Sequence, residues 1–503
     1  MASVHPAAIG SSGSSSSAHP ASKPNGNPDE ITTTTIKATA HLTLPAHPVP
    51  LTYDQLNPKS IPNEFYGPWG MTVVLFSTPL VAYSLFYLCN ETTGCMPSSP
   101  RAWRLLGDLL GDWPATNGQF FEASAKPAAV YFGFFAYLVA CWVFIPVEKT
   151  EGTLIRDGTR KAYKLNGLHT LFLTLGLTLG LLLRPGGIEM MTWPYDHWVP
   201  LLTISLVFAV AQAAYFHAQS YWSGELLAAR GNSGNLIYDY FLGRPLNPTL
   251  PGLPNWDVKT FIEVRPGIIG WLLLNISCAC EQYVRLGRVT DSMVLVLLFE
   301  GYYCFDSLWN ESNILNQMDI TTDGYGFMLA FGNLVWVPFT FGLQARYLAF
   351  HPVDLGLTKS ALITAFVGLG IWMFRGSNSE KDHFRNGRNP KNLTYMETKR
   401  GTKLLTSGWW GWSRHPNYLG DWIMALGWSL PTGFTTPITY FYIAYFVVLL
   451  LHRQHRDDHA CKEKYGDDWD EYCRRVPYKI IKYIVSFAVL VTGQDELSWQ
   501  KLT

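Results

Sequence analysis

Residues 408–458 read GWWGWSRHPNYLGDWIMALGWSLPTGFTTPITYFYIAYFVVLLLHRQHRDD, so that two apolar runs are enclosed by polar and charged side chains. The runs, at approximately 418–432 and 434–451, meet around Pro431 and Gly433, which predicts a tight helical hairpin. Because a hydrocarbon layer of about 30 Å is crossed by roughly 20 helical residues, both runs are candidates for membrane helices. The stretch therefore predicts a pair of membrane helices with polar ends.

Eight more apolar runs of comparable length precede this hairpin. They lie at approximately 69–89, 128–147, 167–184, 197–217, 266–285, 290–307, 325–349 and 360–375. Charged residues make up only 15% of the chain, against about 25% in soluble domains. The sequence therefore predicts an all-α polytopic membrane protein with about ten transmembrane helices.

The polar segments predict the limits and the orientation of this membrane domain. Residues 1–60 are rich in Ser, Thr and Pro and predict a disordered cytosolic tail, which leaves 61–503 as the membrane domain. With the N-terminus in the cytosol, basic segments such as 376–417 and 452–478 fall on the cytosolic side, as membrane proteins prefer. The functional half is expected at about 290–503, where the larger polar connections concentrate.

Several familiar chemistries have no motif in this chain. No GxGxxG follows a strand, and no P-loop, HExxH or GxSxG occurs, so a nucleotide would have to bind among helices and polar loops. The formal net charge of zero gives no reason to expect nucleic acid as a partner. The eight Cys residues form no CxxC pair, which predicts free thiols and no metal site. Only Cys89 and Cys95 are placed where an oxidising lumen could reach them.

The polar cluster at 408–422 is unusual because it enters a predicted membrane helix. An interfacial aromatic belt with a proline at the helix start accounts for its Trp residues. It does not account for Arg414, Asn417 and Asp421, since polar groups at this depth are costly unless they are paired or used. Asn417 and Asp421 are four residues apart and would share one helical face. The cluster is therefore predicted to be functional.

Two further polar clusters lie near the same membrane surface. At helical spacing, four residues of the second cluster share one face: Asp457, Cys461, Lys464 and Tyr465. Such a face can bind an amide, a ribose or a phosphate, although a solvated helix with ion pairs is an equally simple interpretation. The third cluster, Lys381 with Arg385, suits a phosphate because Arg offers a forked donor and Lys a point charge.

These segments together resemble the sterol reductase family. The resemblance is carried by Leu404 through Trp422 and by the downstream pattern of Cys461, Lys464, Tyr465, Gly466, Trp469 and Tyr472, and it extends from about residue 60 to 495. The family includes the sterol carbon-14, sterol 24(28) and 7-dehydrocholesterol reductases and the membrane domain of the lamin B receptor. Segments 241–248, 263–267 and 318–332 are similar to the fungal carbon-14 branch. One departure is Asn333, where the family commonly has Asp.

The resemblance implies NADPH as the cofactor. Matched position by position, it implies contacts at Lys381, Arg385, Leu405, Trp410, Asn417, Tyr418, Asp457, Cys461, Lys464, Tyr465 and Tyr472. Lys381 and Arg385 would contact phosphate groups, including the extra phosphate that distinguishes NADPH from NADH. The amide, carboxylate and aromatic side chains would supply hydrogen bonds and stacking faces.

The resemblance also implies the substrate, a sterol 8,14-diene that enters laterally from the bilayer lipid. An unactivated alkene must be protonated, at carbon 15, before a hydride can reach the cation at carbon 14, so an acid is required. Tyr303 is the first candidate, with Asp306 three residues further along the helix. Glu311 is a third candidate, because a carboxyl buried in apolar surroundings holds its proton more strongly.

Alternatives remain at the level of function. A sister activity at the 24(28) or 7 double bond uses the same fold. Outside the reductases, the chain could be a non-catalytic sterol-binding protein of the nuclear envelope, or a methyltransferase of the isoprenylcysteine type. The expected location is the endoplasmic reticulum membrane, with the continuous nuclear envelope as an open alternative. The sequence does not indicate the oligomeric state.

Overall fold

Helices make up most of the computed structural model, which describes residues 52–62, 64–91, 95, 125–250 and 252–482. The helices of the first half are α1 (Tyr53–Leu56), α2 (Gly67–Leu88), α3 (Ala125–Phe144), α4 (Gly167–Leu182), α5 (Gly187–Met191), α6 (Trp193–Asp196), α7 (Trp198–Gln219), α8 (Leu236–Leu242), α9 (Val258–Val264) and α10 (Pro266–Leu286). Those of the second half are α11 (Asp291–Trp309), α12 (Met318–Thr321), α13 (Phe327–Phe331), α14 (Val337–Thr340), α15 (Leu343–Phe350), α16 (Gly356–Arg385), α17 (Trp409–Trp412), α18 (Pro416–Ser429), α19 (Phe441–Tyr465) and α20 (Asp467–Arg475).

The expectation of an all-α chain needs a small correction, because three two-stranded antiparallel hairpins occur among the described residues. Their strands are β1 (Lys149–Leu154) with β2 (Arg160–Lys164), β3 (Thr249–Leu250) with β4 (Leu253–Asp257), and β5 (Tyr395–Glu397) with β6 (Lys403–Leu405). Each hairpin lies in a polar connection, where turns are short and side chains alternate, and not in an apolar run. The membrane helices are therefore joined by small extended elements.

Within the part of the chain that the structure describes, six helical segments are long and apolar enough to cross a membrane. They are Glu64–Leu88, Ala125–Phe144, Trp198–Gln219, Val258–Leu286, Phe327–Phe350 and Gly356–Arg385. Each of the other four predicted spans coincides with a helix that is either too short or too polar to be counted among these six. The helices α4 and α18 have only 16 and 14 residues, whereas α11 contains carboxylates and α19 becomes polar after residue 451. Six spans are thus supported by length and composition.

The core of the bundle is formed by the segment 258–286, which contains α9 and α10, and by 327–350. In each of these segments, 83% of the apolar membrane-length stretch is buried by other parts of the protein. In the other four segments the buried share is 17–33%. The second segment contains a five-residue π-helical turn at Gly332–Trp336. A side chain at Gly267 would lie 2.4 Å from the carbonyl oxygen of Asn333. Glycine at 267 is therefore required for the close approach of α10 to this turn.

The described part of the chain begins at residue 52, within the segment that the sequence predicts as a tail. Residues 53–56 form α1, and Thr52 caps it by accepting a hydrogen bond from the backbone N–H of Gln55. The side-chain oxygen of Asn57 accepts from the Leu227 N–H at 2.8 Å and from Arg156 at 3.3 Å. These contacts fix 52–60 on the loops of the bundle, whereas residues 1–51 lie outside the described part of the chain.

The prediction of free thiols is wrong for Cys89 and Cys95, which form a disulfide. They lie just beyond the C-terminal end of α2, and the other six Cys residues are free thiols. The carbonyl oxygen of Cys95 accepts a hydrogen bond from Thr436 at 2.6 Å. The disulfide therefore lies against the connection between α18 and α19.

A buried ion pair joins three elements near the start of α10. Arg265 and Glu311 lie 2.9 Å apart and are 1% and 4% exposed. Glu311 also accepts a hydrogen bond from the Gly167 backbone at 2.8 Å, and Arg265 donates to Asn166 at 2.9 Å. The pair therefore links the starts of α4 and α10 to the segment after α11.

Removing one member of this pair should destabilise the fold strongly. We expect Arg265→Met to lower the unfolding free energy by about 3–5 kcal/mol, because Glu311 would remain as a buried unpaired charge. The double variant Arg265→Met, Glu311→Met should recover part of that loss. Thermal unfolding in detergent measures both, and equal stability of the single and the double variant would contradict the pairing.

Candidate functional site

The candidate site is built where α16 and α18 cross. A Cβ atom on Gly420 would lie 2.7 Å from the Phe374 backbone nitrogen and 2.9 Å from the Gly370 carbonyl oxygen. Two glycines thus allow the helix backbones to touch, as small residues do in membrane bundles. The crossing brings the polar end of α16 beside α17 and the start of α18.

Lys381 and Trp410 meet at this junction. The Lys381 ammonium lies 3.9 Å from the centre of the Trp410 ring. The indole N–H of Trp410 donates to the Ser377 carbonyl oxygen at 2.8 Å, which fixes the ring on α16. Tyr472 donates to the Trp410 carbonyl oxygen at 3.5 Å. Three residues from separate clusters of the sequence therefore form one wall.

A second wall comes from the start of α18 and from α19. The Tyr418 hydroxyl donates to Asp457 Oδ2 at 3.0 Å, and its ring stacks on His415 with centroids 4.7 Å apart. Asn417 is 3% exposed, and its Oδ1 has no hydrogen-bond partner among the described residues. A buried amide oxygen without a partner costs free energy unless a ligand satisfies it. The wall therefore presents an acceptor to whatever occupies the site.

A small apolar cluster supports both walls from the polar side. Its buried members are Met396, Tyr465, Trp469, Tyr472 and Val476, with Leu404, Cys461 and Cys473 packed against them. Leu405 is 6% exposed and lies on β6 opposite Tyr395. The amphipathic helix α20 and the β5–β6 hairpin thus pack on each other and hold α19 in place.

The remaining predicted cofactor residues lie at the rim. Arg385 ends α16 as an exposed side chain, close enough to Tyr465 and Cys461 to interact with them electrostatically. Lys464 is half-buried, with its ammonium 5.0 Å from the centre of the Tyr465 ring. The structure thus brings together all eleven sequence-predicted residues around the junction of α16, α18 and α19.

Two further residues position this site: Arg414, which the sequence singled out without a role, and Glu380, which sequence reasoning missed. Arg414 donates to Asp458 at 3.0 Å, and the Arg414 backbone N–H donates to the Tyr478 carbonyl oxygen at 2.9 Å. Glu380, which is 6% exposed, accepts from the Trp409 backbone at 2.8 Å and pairs with Lys391 at 3.2 Å. The only signal in the sequence was a carboxylate adjacent to Lys381, which fits an ordinary charged helix end equally well.

Tyr303 and Asp306 line a partly open cavity between α9, α10, α11, α16 and α18. Its wall is largely apolar, and the ring of Tyr303 lies 5.2 Å from that of Trp428 and 5.9 Å from that of Trp271. Asp306 forms an ion pair with Arg375 of α16. A cavity with a largely apolar surface suits an apolar ligand.

The third acid candidate has a different neighbourhood. Glu311 does not line this cavity and is instead engaged by Arg265 and by the Gly167 backbone. Two other carboxylates of this region, Asp319 and Asp323, follow α11. Burial raises the pKa of Asp323, and its own carbonyl oxygen accepts from Lys259 at 2.7 Å. Tyr303 and Asp306 are thus the two acid candidates that line the cavity.

Comparisons with known proteins identify the family of this chain. A family model described as the Ergosterol biosynthesis ERG4/ERG24 family matches residues 59–485.

The chain is 46% identical over 426 residues to the Delta(14)-sterol reductase erg24 of Schizosaccharomyces pombe. The match covers 84% of this chain and 97% of that protein. It is 46% identical over 378 residues to Delta(14)-sterol reductase ERG24 of Saccharomyces cerevisiae, with 73% and 85% covered. The Ascobolus immersus Delta(14)-sterol reductase is 43% identical over 429 residues, with 83% and 98% covered. The chain belongs to the ERG4/ERG24 sterol reductase family.

The environment of Cys461 gives a pH-dependent prediction. Burial raises the pKa of its thiol to about 12, and the nearby Asp457 carboxylate acts in the same direction. Because the thiolate is the reactive form, maleimide labelling at pH 7.5 should be roughly three orders of magnitude slower than for an ordinary thiol. The rate should still be rising tenfold per pH unit between pH 8 and 9.5.

Peptide mass spectrometry of labelled, folded protein measures this rate. The urea-denatured chain is the matched control, since the same thiol should then titrate near its usual value. A plateau in the folded-state rate between pH 8 and 9 would show that the thiol is not buried as described.

Proposed function

We propose that the chain is an NADPH-dependent delta(14)-sterol reductase, which reduces the C14=C15 double bond of sterol 8,14-dienes in ergosterol biosynthesis. The observation that carries the proposal is the arrangement along α18. Its polar start forms part of the site that contains Lys381 and Trp410, and its middle borders the cavity at Tyr303. One helix thus joins a site for a polar reductant to a site for an apolar substrate.

The residues at the α16–α18 junction fit a nicotinamide nucleotide. The buried Asn417 Oδ1 lacks a partner among the described residues, as expected where a ligand amide or hydroxyl donates. Lys381 and Arg385 supply positive charge at the outer edge, and the Trp410 ring offers a stacking face. The bound nucleotide would supply a hydride. The absence of a Rossmann motif is compatible with this site, because helix ends and side chains provide all of these contacts.

The substrate side follows from the cavity. Its apolar wall would hold a fused-ring sterol, and its position among membrane helices would allow the sterol to enter from the lipid. Tyr303 lies on this wall and would donate a proton to carbon 15. The rings of Trp271 and Trp428 surround Tyr303 and would stabilise the cation at carbon 14 while excluding water.

The proposed location of the protein is the endoplasmic reticulum membrane, which it would cross several times. The nuclear envelope is continuous with this membrane. The finer topology of ten spans would place α18 and α19 as a hairpin whose polar ends face the cytosol. NADPH would then enter from the cytosol, and the sterol from the bilayer.

The direct test is turnover of a purified sterol 8,14-diene with NADPH in detergent or nanodiscs. Mass spectrometry should show loss of the 14-double bond and incorporation of deuterium from labelled NADPH at carbon 14. Reduction of a 24(28) or 7 double bond instead would assign a sister activity of the family. No nucleotide binding and no turnover of any of these sterols would leave a non-catalytic sterol-binding protein.

The cofactor end can be tested with a matched pair of arginine variants. Arg385→Gln should raise KM for NADPH about 10- to 100-fold, because a charge-assisted hydrogen bond of about 1.5–3 kcal/mol is lost. KM for NADH, which lacks the extra phosphate, should change much less. Arg388→Gln is the control, since Arg388 is exposed after α16 and pairs with Asp382 at 3.9 Å. Equal effects of both variants would reject Arg385 as a phosphate ligand.

A further inference from the structure

One face of α18 connects the two sites at helical spacing. Asn417 lies in the cofactor wall, Met424 lines the cavity, and Trp428 packs on Tyr303. Asp421 lies between them on the same face, four residues after Asn417 and three before Met424. Neither the resemblance nor the proposed reaction gives Asp421 a role.

The Asp421 carboxyl is buried without full hydrogen bonding. It is 3% exposed, and its Oδ2 has no hydrogen-bond partner among the described residues. It is close enough to the Tyr303 phenol and to Tyr442 to interact with both electrostatically. Burying a carboxyl in this environment costs folding free energy, so packing alone does not explain its presence.

The other carboxyls around Tyr303 are engaged. Glu300 is fully buried and accepts hydrogen bonds from Asn275 at 2.6 Å and from the Trp271 indole at 3.0 Å. Asp306 is neutralised by Arg375. Asp421 differs from Asp306 because its Oδ2 has no partner among the described residues. Glu300 also has an oxygen without a partner, Oε1, but Glu300 lies on α11, whereas Asp421 lies on α18 between Asn417 and Met424.

We propose that Asp421 returns a proton to Tyr303 after each turnover and so connects the sterol cavity to the water-facing cofactor site. The inference rests on the proposed function. The O–H bond of Tyr303 breaks as a C–H bond forms at carbon 15, which leaves a phenolate. The protonated carboxyl of Asp421 then transfers its proton to the phenolate oxygen and becomes a carboxylate. A water proton arriving through the cofactor site restores the acid, so that each cycle consumes one proton and one hydride.

This arrangement meets a requirement of the chemistry. A phenolate left in a largely apolar cavity is unfavourable, and water admitted to the cavity would trap the cation. An internal acid restores the phenol without opening the cavity. Asp421 acts through Tyr303 and does not itself touch the sterol.

The test is Asp421→Asn, which keeps the shape of the side chain and removes the titrating proton. We expect kcat to fall about 100-fold or more, within the range of general acid–base contributions, with the Kd for NADPH within twofold of the parent. The solvent deuterium isotope effect on kcat should increase, and the isotope effect from deuterated NADPH should approach 1, since proton return becomes rate-limiting. Asp421→Glu should restore part of kcat.

A second comparison separates this inference from the proposed function. If Tyr303→Phe is slow and Asp421→Asn adds nothing in the Tyr303→Phe background, the two groups act in one pathway. If Tyr303→Phe is slow but Asp421→Asn alone matches the parent, only the role of Asp421 is rejected. If Tyr303→Phe matches the parent, the proposed acid is wrong. A large loss of NADPH affinity in Asp421→Asn would reassign Asp421 to the cofactor wall and overturn the inference.

Discussion

The contact between Gly370 and Gly420 determines the geometry of the site. Because neither residue has a side chain, the backbones of α16 and α18 approach until a Cβ atom on Gly420 would clash with Phe374 and Gly370. At this distance Trp410 reaches the Ser377 carbonyl oxygen, and Lys381 lies over the Trp410 ring. A wider crossing would separate the charged end of α16 from the polar start of α18, although all the same residues would be present.

The sequence predicted the helical membrane class of the fold, and singled out some of the candidate site residues, for physical reasons. Long apolar runs have few stable structures in lipid, so the runs at 69–89 and 197–217 correspond closely to α2 and α7. Polar residues at the mouth of a membrane helix are costly, and this cost is enough to distinguish Asn417 from its neighbours in the sequence. The polar residues that the resemblance added, such as Tyr472, lie in the same walls.

Other features were not predictable, because they depend on contacts between distant segments. The π-helical turn at Gly332–Trp336 lies against Gly267 of α10, a contact that local hydrophobic patterns do not record. The ion pair of Glu311 with Arg265 was likewise not predictable from the sequence. Without knowledge of this partner, a buried carboxyl at 311 could equally be interpreted as a catalytic acid. The sequence singled out Cys89 and Cys95 as able to face an oxidising compartment but did not pair them, and the structure shows them as a disulfide.

The first and last long helices are held together at both ends. Beyond one end of α2, the Cys95 carbonyl oxygen accepts from Thr436, which precedes α19. Before the other end, Glu64 pairs with Arg456 at 3.5 Å, and Phe65 stacks on His452 with centroids 5.5 Å apart. The bundle is thus closed by antiparallel neighbours from opposite ends of the chain. Because α19 is synthesised long after α2, these contacts at the ends of α2 can form only once the C-terminal helices have been made.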